Sequence, residues 1–187
     1  MKNSVTKNLV IVNLIVFLLT LLFRFEDIDL FKVFSLQKLD FQFYQLVTHQ
    51  FLHAGLLHLF FNMIGLYTLG EGVEKYIGAN FLSYYLMCGV MASVCFLTLT
   101  NNTSPMVGAS GAIYGLFGLS VCINPNQKIG IIFIPVGFKA VNLAIFLILI
   151  EFLLHFTSSD NIAHMAHIGG FFTGILIYFL HKFFSNN

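Results

Sequence analysis

The stretch AHMAHIGGFFTGILIYFLHKFF, residues 163–184, carries two signals at once. Its apolar length suits a helix that crosses a bilayer, which takes about 20 mostly apolar residues. Yet it opens with His164 and His167, and it sets Gly170 and Gly174 four residues apart. Polar groups in hydrocarbon cost free energy, so such histidines are expected to face the protein interior or a water-filled cavity. A small-xxx-small pair lets a second helix come close. The stretch therefore reads as a membrane helix packed tightly against a neighbour, with an imidazole held near its start.

Working outward, five more apolar runs precede it, at roughly 8–23, 53–70, 79–100, 110–124 and 138–157. The expected fold is an all-α polytopic membrane protein, a bundle of six transmembrane helices in one domain over residues 1–187, with no added soluble domain. The first run lacks a small-residue cleavage site and five spans follow it, so it reads as a retained helix and not a signal peptide. The composition agrees: 58% of residues are hydrophobic and 9% charged, against about 45–50% and about 25% in soluble domains. A net charge of +1 without a basic stripe argues against a nucleic-acid partner. Cys88, Cys95 and Cys122 match neither a CxxC pair nor a zinc set, and read as inert small hydrophobes.

Residues 24–52 form the longest connection. Seven charges there, from Arg24 to Asp40, alternate with Phe25, Phe31, Phe34, Phe41 and Phe43, a pattern suited to a loop on the membrane surface. With the N-terminus inside, Lys2, Lys7, Lys75, Lys128, Lys139 and Lys182 fall on inner segments, against Arg24, Lys32 and Lys38 outside. The positive-inside rule then favours both termini inside. In that topology the second, fourth and sixth helices all start on the outer side. Polar groups gather at those starts: His53, His58 and Asn62, then Ser110, then His164 and His167.

The sharpest local pattern is Gly108-Ala109-Ser110-Gly111, followed by Ala112, Ile113, Tyr114 and Gly115. Small neighbours let a substrate backbone approach the serine and permit strained dihedrals. A serine that opens a helix also lies beside free backbone N–H groups, suited to an oxyanion. Gly111 and Gly115 support a second reading, plain helix packing. A nucleophilic serine needs a base. Close packing of the Gly170/Gly174 face on the Gly111/Gly115 face would bring His167 within reach of Ser110. Tyr114, one turn after Ser110, shares its face and could pack on the His167 ring.

His58 and Asn62 are one turn apart, and Asn62 offers an N–H donor for an oxyanion or for an interhelical hydrogen bond. His49 and His53 have metal-ligand spacing, but no H-E-x-x-H and no evident third ligand accompanies them, so neither metal nor cofactor is expected. Glu151 lies within a span, where an acid is a functional suspect. Its i,i+4 neighbour His155 offers a neutralising pair, and snorkelling to the outer end is a further reading.

Together these residues resemble the rhomboid family of intramembrane serine proteases. His58-Leu59-Phe60-Phe61-Asn62 is similar to its H-x-x-x-N, Gly108 to Gly111 to its G-x-S-G, and Ala166-His167 with Gly170 and Gly174 to its A-H-x-x-G-x-x-x-G. Gly70, Glu74 and Gly78 look like the end of the family's second helix. The resemblance runs from about residue 44 to 180, in the family's order. It implies a cavity open to the outer side, with Ser110 as nucleophile and His167 as general base and acid, and no third acidic member. His58, Asn62 and the Ser110 N–H would bind the oxyanion, Gly108 would shape the adjoining loop, and Tyr114 would stack on His167. It implies single-span membrane proteins as substrates and, for a bacterial-type member, the cytoplasmic membrane with both termini in the cytoplasm. One departure stands out: Tyr44-Gln45 occupies the place of a Trp-Arg pair in many relatives.

Two other readings make distinct predictions. A catalytically dead, client-binding relative is expected to lack the serine or the histidine, and both are present. A small channel or transporter predicts a polar stripe through the whole membrane, whereas these helices are polar only near their outer starts.

Overall fold

The computed structural model describes residues 4–131, 134–157 and 162–185; Lys2, counted above among the inner charges, lies outside them. Among these residues the helices are α1 (Val5–Phe25), α2 (Leu30–Phe34), α3 (Gln45–Thr48), α4 (Leu56–Ile77), α5 (Phe81–Leu99), α6 (Ser110–Ile123), α7 (Ala140–Thr157) and α8 (His164–Ser185). The six long ones match the six expected spans, and the protein is an all-α polytopic membrane protein. Four segments are long and apolar enough to cross a bilayer: Val5–Phe25, the α4–α5 run Leu56–Leu99, Ala140–Thr157 and His164–Ser185. At 14 residues, α6 rises only about 21 Å, short of a hydrocarbon core of about 30 Å. One of its ends therefore lies within membrane depth.

Glycine seams set the packing. A Cβ on Gly170 would collide with the Gly111 carbonyl, and one on Gly174 with the Gly115 carbonyl. From the other side, Gly111 and Gly115 abut the Cβ atoms of Ala92 and Cys88 on α5. Thus α6 is clamped at backbone contact, and the expected match of the two glycine faces is what the structure contains. Around it Leu59, Leu66, Phe81, Tyr85, Leu116 and others form the main apolar core. Side chains such as Leu18, Leu149 and Phe183 point outward, as lipid-facing positions do.

At the far end, the Glu74 carboxylate caps the start of α1. It accepts from the Val5 and Thr6 N–H groups at 2.7 and 3.0 Å and from the Ser4 and Thr6 hydroxyls at 2.9 and 2.6 Å. These are among the donors a helix start leaves unpaired, so one carboxylate on α4 fixes α1.

Two features lay beyond what the residues alone suggested. A hairpin, β1 (Lys128–Ile131) and β2 (Ile134–Lys139), joins α6 to α7, with Lys128 opposite Lys139. The fifth span therefore starts at Ala140, because residues 138–139 are tied into this ladder. The 24–52 connection is also more ordered than a surface loop. Leu36, fully buried, exchanges backbone hydrogen bonds with Met106 at 3.0 and 2.9 Å. Gln45 is buried too. Its carbonyl accepts from the Gln37 and Gln42 N–H groups and its amide donates to the Val33 carbonyl, each at 3.2 Å. An uncharged amide thus ties this loop together.

Candidate active site

Ser110 is the first residue of α6, where the leading N–H groups have no intrahelical acceptor. His167 lies in the first turn of α8. The seam between the two helices brings His167 Nε2 to 2.8 Å from Ser110 Oγ. Tyr114, one turn below the serine, stacks on the imidazole at 4.4 Å between centroids and 6° between planes. Stacking and hydrogen bonding together fix the ring in both tilt and rotation.

A cavity of about 700 Å³ opens over this pair, lined by His58, Asn62, Gly108, Ser110 and His167 among others. Gly108 has φ +117°, and an added Cβ would lie 2.8 Å from the His58 ring. Conformation and crowding both demand glycine there. Its N–H donates to the His49 carbonyl at 2.9 Å. His49 is buried, and its Nε2 lies 2.7 Å from Ser93 Oγ. Ser93 donates to the Gly89 carbonyl at 2.9 Å, which leaves its oxygen to accept from His49. His49 is thereby tied to α5 and braces the loop that carries Gly108, a role its spacing to His53 did not suggest. Among the described residues, no group of three or more His, Cys, Asp or Glu side chains is arranged to hold a metal ion.

Asn62 is buried at the cavity wall and donates one N–H to the His58 carbonyl at 2.8 Å. An amide carries two such hydrogens, so one more is left for a ligand. The His58 ring packs edge-on to His53, 5.2 Å away.

The expectation that no acid stands behind His167 is corrected by Glu151. Its Oε1 lies 2.9 Å from His167 Nδ1 and accepts from the Tyr114 hydroxyl at 2.5 Å, and its Oε2 lies 2.6 Å from His164 Nδ1. The i,i+4 pairing with His155 is not the contact made: the His155 ring packs against Phe156, 4.9 Å away. The i,i+4 rule reports shared sides within one helix and is blind to partners on others. The usable signal was the intramembrane acid itself.

A family model for the Rhomboid domain matches residues 40–182. The chain belongs to the rhomboid family. Similar proteins include YdcA of Bacillus subtilis strain 168, provisionally named a rhomboid protease, at 34% identity over 74% of this chain and 67% of that one. The rhomboid protease GluP of the same strain is 33% identical over 71% of this chain but only 25% of its own length. The rhomboid protease GlpG of Pectobacterium atrosepticum is 26% identical over 97% of this chain and 64% of that protein. Membership of this family and the apolar helices make the chain an integral membrane protein.

Proposed function

We propose that this rhomboid protein is an intramembrane serine endopeptidase that cuts single-span membrane proteins in or near their transmembrane segment. The observation that carries this reading is the 2.8 Å approach of His167 Nε2 to Ser110 Oγ in a cavity. Ser110 attacks the scissile carbonyl while His167 takes its proton, then returns it to the leaving amine. The Ser110 N–H, His58 and the second Asn62 N–H serve the oxyanion, Gly108 keeps their loop close, and Tyr114 steadies the base. No metal or cofactor enters this scheme. The lysine distribution supports both termini in the cytoplasm, and the Bacillus relatives support a bacterial cytoplasmic membrane.

The test is Ser110→Ala, purified beside the wild type and assayed on a model single-span substrate and with a fluorophosphonate probe. Cleavage and labelling should both vanish with the fold intact. Cleavage by the variant at a comparable rate removes Ser110 from the site.

A further inference from the structure

An acid inside a membrane bundle needs a reason. Inserting a charged side chain at a helix centre costs about 2.5–3.5 kcal/mol on translocon scales. Glu151 is nevertheless buried, and three donors from two other helices converge on its two oxygens: Tyr114 on α6, and His164 and His167 on α8. Such a carboxylate is fixed before any substrate arrives. The His167 ring has two nitrogens, and the hydrogen bond made by one decides the proton on the other. With an ionised carboxylate at Nδ1, the proton sits on Nδ1 and Nε2 is left to accept from Ser110.

We propose that Glu151 is a positioning residue, the third member of a Ser110–His167–Glu151 assembly, which holds His167 in the Nδ1–H form and stabilises the imidazolium made during attack. This rests on the protease reading above. In the first step the Ser110 oxygen bonds to the substrate carbonyl carbon, and the carbonyl π pair moves onto oxygen. The serine proton passes to His167 Nε2. As the C–N bond breaks, that proton leaves on the amine, and water repeats the sequence to release the acyl group. Glu151 accepts hydrogen bonds throughout and takes no proton. Among the described residues, the polar groups around His167 include Ser110 and Tyr114 on α6, Glu151 on α7, His58 on α4, and His164 on α8, which shares the carboxylate. Glu151 is, among the described residues, the carboxylate that meets the His167 ring.

Two measurements test this. Glu151→Gln keeps the shape but can present an N–H to His167 and select the wrong tautomer. In soluble triads the equivalent change lowers turnover about 10⁴-fold. Here Tyr114 also holds the ring, so kcat should fall at least about 10²-fold with KM nearly unchanged. If Ser110→Ala is inactive while Glu151→Gln turns over within about threefold of wild type, the inference falls and the protease reading stands. If Ser110→Ala still cleaves, the protease reading itself has failed. The second measurement needs no Glu151 variant to fold: the imidazole ¹⁵N spectrum of the wild type, with His167 assigned by its loss in His167→Asn. A protonated Nδ1 and an unprotonated Nε2 are expected, and the opposite tautomer overturns the proposal.

Discussion

Helices α6 and α7 both contribute to the candidate site, and they are held in opposite ways. Nine of the 14 residues of α6 are buried, and its glycines meet the α8 backbone directly. Only four of the 18 residues of α7 are buried: Ala140, Leu143, Ala144 and Glu151. The first three lie at its start, where Leu143 and Ala144 pack on Phe117 and Phe171. Beyond them Glu151 is the single buried anchor. Without a hydrophobic driving force between helices in lipid, close packing and polar contacts must hold a bundle together. Packing dominates at α6. On the C-terminal half of α7, polar contact does. The Ser110–His167 distance is therefore set by a rigid seam, and the Glu151 contact by a tethered helix.

Breaking the seam should have the largest effect. Gly170→Val places a branched side chain against the Gly111 carbonyl, and a backbone atom cannot swing aside. Overpacking commonly costs about 1–3 kcal/mol, and separation of α6 from α8 adds loss of the Ser110–His167 bond. Purified Gly170→Val should melt well below wild type and show no cleavage. A variant with normal melting and turnover would mean that the seam opens freely.

A middle-sized effect is expected where the two helices meet. Tyr114→Phe keeps the ring stacked on His167 but removes the hydroxyl that donates to Glu151. A hydrogen bond to a charged group contributes about 1.5–3 kcal/mol. Two imidazole donors remain, so the loss of stability should fall at or below the lower end of that range. Turnover should drop severalfold, less than for Glu151→Gln. Equal losses in the two variants would show that the carboxylate acts on the base only while the Tyr114 hydroxyl holds it.

This contrast also explains what could be read from residues alone. The α6–α8 seam was legible because Gly111, Gly115, Gly170 and Gly174 repeat at helical spacing, and because a serine and two histidines stand at the starts of those helices. Glu151 was visible as an oddity, but its partners lie 13, 16 and 37 residues away, beyond any local rule. The brace from His49 to Gly108 runs through a backbone carbonyl, which leaves no mark in side-chain identity. The hairpin at 128–139 was hidden because most of it fell in the connection between two spans, and residues 138–139 were read as the start of the fifth. Gln45 likewise looked like a missing charge until its amide met three backbone groups.

The smallest effect should come from the outward face of α7. Leu149 is 63% exposed, two residues before Glu151 and on a different side of the helix. Leu149→Ala leaves the carboxylate and its donors untouched. The truncated side chain faces lipid, where leucine contributes only about 0.3–0.6 kcal/mol to insertion, and surface changes of this kind shift stability by about 0.5 kcal/mol or less. Melting temperature and turnover should both stay close to wild type in liposomes. A fall in turnover without a fall in melting temperature would indicate that this face of α7 meets the substrate. A fall in both would mean that α7 is anchored along its length, and that the tether at Glu151 is not what holds its C-terminal half.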